Sequence, residues 1–138
     1  MLSIDRLSRV PVYEQVIDGV EREIIAGLLC AGDKLPSVRE MSLTLGINPN
    51  TIQKAYAELD RRGVIVTLPA RGAFVAENAL DVIRNQKQRL LGRVRELALE
   101  LLEAGVEEKV VVDEIRAAYA SKENILSDKS EEKADDQG

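Results

Sequence analysis

The sequence of 138 residues contains no histidine and a single cysteine, Cys30. Without histidine, a chain lacks the commonest general base, a member of the usual catalytic triads and the commonest metal ligand. A single cysteine excludes an intramolecular disulfide and a metal cage built from cysteines. We therefore expect no enzymatic activity, no cofactor and no metal site, and a reducing compartment such as the cytoplasm.

Long apolar runs are also missing. No segment approaches the roughly 20 apolar residues that a membrane span needs, and the first residues lack the apolar core of a signal peptide. The chain is long enough for one domain with an appendage and too short for a second large ligand-binding domain. These absences predict a small cytoplasmic protein without a membrane partner.

The segment from Leu35 to Val75 begins with the pattern of a short helix. Ser37 can accept a hydrogen bond from the amide of Glu40, while the Glu40 carboxylate can reach back to the amide of Ser37. Gly46 offers the left-handed backbone that ends a helix and opens a turn. The apolar stripe between these ends consists of Val38, Met41 and Leu45. The pattern predicts a helix that starts at Ser37 and stops at Gly46.

A second helix is predicted directly after the turn, from Asn48 to Arg62. Asn48 can cap it, Pro49 suits the first helical position, and Gly63 closes it. One face is apolar and consists of Ile52, Ala55, Tyr56 and Leu59. The other face is polar and consists of Asn50, Gln53, Lys54 and Arg61, with the small Ala57. Asn and Gln carry the donor and acceptor pair that fits the edge of adenine in the major groove of DNA.

Two β-rich runs follow, from Val64 to Thr67 and from Ala73 to Val75. The residues between them, Leu68-Pro69-Ala70-Arg71-Gly72, have turn chemistry, so a two-stranded wing with Arg71 at its tip is predicted. Two helices, a tight turn and a hairpin make a winged helix-turn-helix. The commonest use of that shape is to place its second helix in the major groove.

The residues from Pro11 to Val75 resemble the DNA-binding domain of the GntR family of bacterial transcription regulators. The resemblance is carried by PVYEQV, LPSVRE, NPNTIQKAYAEL and RGAFV, in that order and spacing. The NPNT and KAY versions and the short C-terminal part are similar to the small YtrA-like subgroup. The resemblance implies an operator DNA as partner and these contact residues: Arg39, Asn50, Thr51, Gln53, Lys54, Arg71 and Gly72. Ser37 and Asn48, at the starts of the two helices, are also predicted to contact DNA. Many relatives have arginine where this chain has Pro49 and Gln53, which implies a different operator sequence.

Four of these positions also have a simpler interpretation. Arg39 could be a solvated surface arginine, and Asn50 and Gln53 could be ordinary polar surface. Gly72 could be a turn glycine. We favour DNA contact, because the predicted cap and the apolar stripe direct the polar face of the second helix outward. Tyr56 lies on the apolar row and is expected in the core.

The formal net charge of −5 is unusual for a DNA-binding protein, which normally carries a basic patch. The charge is unevenly distributed. From Ser37 to Ala73 there are five basic and three acidic residues, and five minus three leaves a local balance of +2. We therefore expect few phosphate contacts per subunit and a moderate dependence of binding on salt.

Helical patterns flank the motif on both sides. Pro11 to Leu28 reads as a long amphipathic helix, preceded before Ser8 by an extended arm. After Val75, apolar residues at alternating three- and four-residue steps form the seam of a helix that ends at Gly105. The predicted dimerisation residues on that seam are Ile83, Leu90, Val94, Leu97 and Leu101. Lys87, also at a seam position, is expected at the edge of the interface.

A second amphipathic helix, from about Glu107 to Ser121, would complete a helical hairpin. Its apolar surface could fold back on the winged helix or meet a second subunit, and symmetric operators favour a homodimer. The tail from Lys122 is poor in apolar residues and is expected to be disordered. The predicted fold is mainly α with a small β-wing, divided into a DNA-binding domain over 1–77, a dimerisation region over 78–121 and an acidic tail over 122–138.

The sequence thus predicts a sequence-specific transcriptional regulator, a dimeric repressor that acts at a palindromic operator. Two other functions are open. A winged-helix module for protein–protein contact is allowed by the acidic balance, and it would show no salt-sensitive DNA binding. A regulator that senses an unidentified small molecule between the two domains would be stabilised thermally by that ligand.

Overall fold

A computed structural model describes the backbone of residues 2–135 and the side chains of residues 2–122. Within these limits the chain forms six helices and one two-stranded sheet. It divides into two compact units, of which the first ends at Gln88 and the second begins at Arg89. The first compact unit therefore extends one helix beyond residue 77, where the sequence predicts the end of the DNA-binding domain.

The first unit is built on three helices, α1 (Val12–Ile25), α2 (Val38–Leu45) and α3 (Pro49–Arg62). α3 packs against both of the others. Its apolar stripe is fully buried, as predicted, and the largest side chains buried with it are Ile17, Leu35, Ile65 and Ile83. α1 ends before the predicted Leu28, because Gly27 has a φ of 78° and breaks the helix.

The ends of α2 and α3 agree with the sequence pattern. Ser37 Oγ accepts from the amide of Glu40 at 3.0 Å, and Asn48 Oδ1 accepts from the amide of Asn50 at 2.8 Å. Gly46 and Gly63 end the two helices in the left-handed conformation. The expected return bond from the Ser37 amide to the Glu40 carboxylate is absent among the hydrogen bonds of the described residues.

The wing consists of β1 (Ile65–Leu68) and β2 (Gly72–Val75), paired antiparallel with Ile65 opposite Val75 and Leu68 opposite Gly72. A third segment, which the sequence did not reveal, lies along the other edge of β2. Lys34 forms a bridge with Phe74 there. The amide of Leu35 donates to the Ala73 carbonyl, and that of Val75 to the Asp33 carbonyl, each at 2.8 Å. These hydrogen bonds therefore attach the wing to the segment that leads into α2.

The first unit ends with α4 (Ala79–Lys87), which packs against α1. Ile83 is only 1% exposed and lies in the core of this unit. The prediction that it contributes to a dimer surface is therefore wrong, since its side chain is already covered. Lys87 was expected at the edge of the same interface. Instead, its Nζ lies 3.8 Å from Oε2 of Glu21 on α1.

The second unit contains α5 (Leu90–Glu103) and α6 (Glu108–Asp135), which contact each other. Gly105, with a φ of 81°, ends the first of them as predicted. The single helix predicted between Val75 and Gly105 is in fact two helices, α4 and α5, separated at Gln88 and Arg89. The chain thus makes a helical hairpin after this break.

The predicted end of the last helix at Ser121 is wrong, because the backbone of α6 continues to Asp135. The segment after Ser121 is poor in apolar residues but contains neither glycine nor proline before Gly138, so nothing local stops the helix. The tail predicted to be disordered is helical as far as Asp135. Its last three residues lie outside the described part of the chain.

Over the described residues, every helix is too short or too polar to cross a lipid bilayer.

Candidate nucleic-acid interface

The outward face of α3 carries polar side chains as the sequence predicts. Asn50 and Gln53 are exposed, and Thr51 beside them is half-buried. Asn48 caps the helix through its oxygen, so its amide NH₂ is still able to donate. The face therefore presents donors and acceptors whose positions are set by a helix with a fully buried opposite side.

Lys54 is exposed on the same helix, but its charge has a partner within the first unit. Its Nζ lies 3.9 Å from the centre of the Tyr13 ring on α1. This is a cation–π contact, which holds the ammonium group over the ring while leaving it accessible. Lys54 is thus a positioned cation at the edge of the polar face.

Two further arginines at the end of α3 are neutralised locally. Glu58 Oε2 accepts from Arg61 Nε at 2.8 Å, and Glu58 Oε1 accepts from Arg62 Nε at 3.0 Å. Hydrogen bonds from Arg61 and then Arg62 lower the pKa of the Glu58 carboxyl to about 2. Arg62 also contacts Glu21, with 3.3 Å between Nη1 of Arg62 and Oε1 of Glu21. These two arginines therefore add little net charge to the face.

The segment from Asp33 to Ser37 connects α3, the wing and α2. The Tyr56 hydroxyl of α3 donates to the Pro36 carbonyl at 2.7 Å, and burial of this tyrosine raises its pKa to about 12. The amide of Leu35 is hydrogen-bonded to Ala73 of β2, and the side chain of Ser37 caps α2. Tyr56 is therefore a core residue, as predicted.

Arg39 lies in the first turn of α2, directly after this segment, and is exposed. It forms no ion pair among the described residues. Ser37 uses its oxygen as the helix cap, but its hydroxyl hydrogen is still able to donate. The start of α2 thus presents one donor and one unpaired cation.

The tip of the wing is a tight turn. The amide of Arg71 donates to the Leu68 carbonyl at 3.1 Å, and Ala70 adopts a φ of 62°. Gly72 follows with a φ of 112°, a value that L-residues rarely adopt. Arg71 is exposed and has no acidic partner among the described residues. The turn therefore holds an unpaired guanidinium at the end of the hairpin.

Two cations near this interface were missed by the sequence analysis. Arg6, in the N-terminal arm, donates from Nη2 to the Gly46 carbonyl at 2.7 Å, in the turn between α2 and α3. Lys34 lies beside the wing, with its Cε 3.0 Å from the point that a Cβ on Gly72 would occupy. No local pattern marks Arg6. Lys34 precedes the buried Leu35, and alternation along an extended segment could have indicated that it points outward.

The seam residues of α5 are exposed in the single chain. Leu90, Val94, Leu97 and Leu101 are between 39% and 56% exposed. Within the described part of the chain, α5 has no buried residue. Soluble proteins rarely leave such a stripe uncovered, so this surface is suited to contact with another molecule.

Comparison with known proteins places the chain among bacterial regulators. Residues 12–75 match the family model described as bacterial regulatory proteins, gntR family. The HTH-type transcriptional repressor YtrA of Bacillus subtilis (strain 168) is 41% identical over 108 residues, which cover 78% of this chain and 83% of that protein.

Solved structures give the same result. A transcriptional regulator from Oenococcus oeni has a TM-score of 0.68 and 34% identity, covering 86% of this chain and 99% of its own. The DNA-binding domain of AraR in complex with operator ORX1 has a TM-score of 0.50 and 30% identity, covering 54% of this chain and 93% of its own.

Proposed function

Because the chain belongs to the GntR family of bacterial regulatory proteins, we propose that this transcriptional regulator is a homodimer that represses transcription at a palindromic operator. The observation that carries the proposal is the exposed polar face of α3, together with the exposed cations Arg39 and Arg71, which form no ion pair among the described residues. The fold makes this face available, because the other side of α3 is fully buried.

Sequence would be read by the side chains of α3. Gln53 and Asn50 can each donate and accept, which suits a bidentate contact with adenine in the major groove. Thr51 and Lys54 lie beside them on the same helix. The likeness to a DNA-binding domain bound to its operator supports this use of the helix.

Affinity would come from contacts to the DNA backbone. Arg39 at the start of α2 and Arg71 at the wing tip are suited to phosphate oxygens, while Gly72 allows close approach of the wing. Ser37 and Asn48 can donate to phosphates from their helix caps. Such contacts fix the orientation of the protein on the duplex without selecting a base.

The seam of α5 would join two subunits. Four apolar side chains at three- and four-residue steps suit the packing of one helix against its copy. A two-fold dimer presents two equivalent α3 helices, and a palindromic operator presents two equivalent half-sites. A repressing role is supported by the 41% identity of the chain to a transcriptional repressor, and occupation of the promoter is the mechanism that we propose for it.

Selection of bound duplexes from a random DNA pool tests the proposal. The expected result is a sequence with two inverted half-sites whose centres lie about one helical turn apart, roughly 10 base pairs, or a multiple of it. Enrichment of no sequence would contradict the proposal. A single half-site would contradict its dimeric part.

Binding of variants to the selected duplex then tests whether Gln53 contacts a base. Gln53→Ala should lose preference at one base position per half-site, by about 1–3 kcal/mol for each good bidentate contact. Arg39→Ala should weaken binding to all sequences alike. Gln88→Ala, an exposed glutamine at the end of α4, is the matched control and should behave as wild type. If Gln53→Ala discriminates every operator variant as wild type does, Gln53 does not read a base.

A further inference from the structure

We infer that Lys34 is a further phosphate contact, which acts beside the wing and was not marked by any motif. The inference rests on the proposed binding of operator DNA. It concerns a residue outside α2, α3 and the wing hairpin, in the segment that pairs with the edge of β2 opposite to β1.

The backbone around Lys34 is fixed on both sides. The carbonyl of Asp33 accepts from Val75, and the amide of Leu35 donates to Ala73. Lys34 itself forms the bridge with Phe74 between these two bonds. The segment therefore behaves as a third strand of the wing over this short length, and the direction of its side chains is determined.

Alternation along these strands places Lys34 on the outer face of the wing. Leu35, Ala73 and Val75 are buried in the core. Side chains of successive residues point to opposite faces, so Lys34, Gly72 and Phe74 share the other face. This is the face away from the core of the first unit.

The lysine stem lies against the wing tip. Gly72 has no side chain, and the lysine occupies the space beside it. The Cε of Lys34 is 3.0 Å and its Nζ 3.8 Å from the point where a Cβ would lie if this residue were not glycine. Arg71 is the neighbouring residue in the chain. The ammonium group is thus held beside Gly72, one residue from the arginine already proposed to meet a phosphate.

The charge of Lys34 is not used within the described part of the protein. It forms no ion pair there, and the adjacent carboxylate of Asp33 is engaged by the amide of Cys30 at 2.8 Å. An exposed ammonium without a carboxylate partner is able to neutralise a DNA phosphate, which releases a condensed counterion.

The salt dependence of binding by the full chain tests this assignment. Lys34→Met keeps the length of the stem and its packing on Gly72 but removes the charge. Because each phosphate contact contributes about −0.9 to the slope of log affinity against log salt, the slope of the dimer should become shallower by about two. The loss of affinity between 50 and 200 mM salt should shrink by roughly tenfold, with unchanged preference among sequences.

Two controls separate charge from structure. Lys34→Arg should restore the wild-type slope, and Arg84→Met, which removes an exposed cation from α4, should leave it unchanged. Thermal unfolding checks that each variant is folded, and Lys34→Gln replaces Lys34→Met if the latter is not.

The outcomes are distinct. A wild-type slope for folded Lys34→Met would overturn the assignment while leaving operator binding intact. A changed base preference with an unchanged slope would also overturn it, since Lys34 would then contact a base. Absence of salt-dependent binding by the wild-type chain would overturn the proposed function together with this inference.

Discussion

The arginines of α2, α3 and the wing fall into two groups. Arg61 and Arg62 are hydrogen-bonded to Glu58. Arg39 and Arg71 form no ion pair among the described residues. A chain with a net charge of −5 can therefore still present local positive charge, because its neutralised arginines and its unpaired ones occupy different places. Attraction to phosphate then depends on few residues, as the sequence predicts.

The carboxyl of Glu58 gives a prediction for pH dependence. Its pKa in the folded protein is lowered from 4.5 to about 2 by hydrogen bonds from Arg61 and Arg62. A group with a lowered folded pKa binds fewer protons in the folded state, so its stabilisation is present above pH 4.5 and is lost as the pH falls toward about 2. Glu58→Gln should therefore flatten the decline of stability over this range.

Urea unfolding at a series of pH values below 5 measures this effect. Asp60→Asn, an exposed carboxylate on the same helix with no ion pair among the described residues, is the control and should keep the wild-type decline. An identical decline for Glu58→Gln and wild type would show that the contact with the two arginines contributes nothing to folding.

Among the secondary-structure elements, the ends of α2 and α3 could be predicted because local chemistry sets them. Ser37 and Asn48 cap, and Gly46 and Gly63 take the left-handed backbone, within a few residues of the helix that they limit. The polar face of α3 could be predicted for the same reason, since a helix with one apolar stripe exposes the rest.

Other features depend on contacts between distant residues and could not be predicted. Lys34 pairs with Phe74 across forty positions, and Lys54 meets Tyr13 of a different helix. The break between α4 and α5 leaves no trace in the pattern, because Gln88 and Arg89 keep right-handed helical dihedrals and neither is a helix breaker. Ile83 was assigned to the dimer seam for this reason.

Three elements of the first unit meet at one buried charge. Glu21 of α1 is 2% exposed and contacts Arg62 of α3 and Lys87 of α4. Removing Arg62 leaves this buried carboxylate with only the more distant Lys87, at 3.8 Å, whereas replacing a buried carboxylate by an apolar side chain is often tolerated. Arg62→Met should therefore destabilise the protein by up to about 3–5 kcal/mol, and Glu21→Met by much less.

Equilibrium unfolding in urea distinguishes these variants. Arg61→Met is the matched control, because Arg61 is exposed and contacts Glu58 at the surface, where water and salt screen an ion pair and it contributes little. The expected order of stability loss is Arg62→Met above Glu21→Met, with Arg61→Met close to wild type. A greater loss for Glu21→Met than for Arg62→Met would contradict this account of the buried charge.

At the scale of the whole molecule, the first compact unit ends after α4. Ala79 and Ile83 are buried in its core, and burial of a side chain such as Ile83 contributes about 1.5–3 kcal/mol. A chain that ends at Gln88 should therefore fold cooperatively, while one that ends at Glu77 should unfold at a lower denaturant concentration. Circular dichroism during urea unfolding measures both midpoints. Equal midpoints would mean that α4 adds no stability to the winged helix.

The second unit carries the proposed dimer contact. Its seam offers apolar side chains that are worth about 1.5–3 kcal/mol each when buried. Joining two subunits positions two α3 helices together, which raises operator affinity far above that of one half-site. Leu97→Asp should break this contact. Leu99→Asp introduces the same charge on the same helix at a leucine of similar exposure that is not part of the seam, and it should leave the dimer intact.

Sedimentation velocity of the full chain at micromolar concentration, alone and with a duplex that carries both selected half-sites, tests the dimeric mechanism most directly. The predicted result is a dimer in the absence of DNA and two chains per duplex in its presence. Leu97→Asp should be a monomer with steeply reduced operator affinity, while Leu99→Asp should match the wild type. A wild-type chain that is monomeric and binds the duplex as a single subunit, with Leu97→Asp binding equally well, would contradict the mechanism.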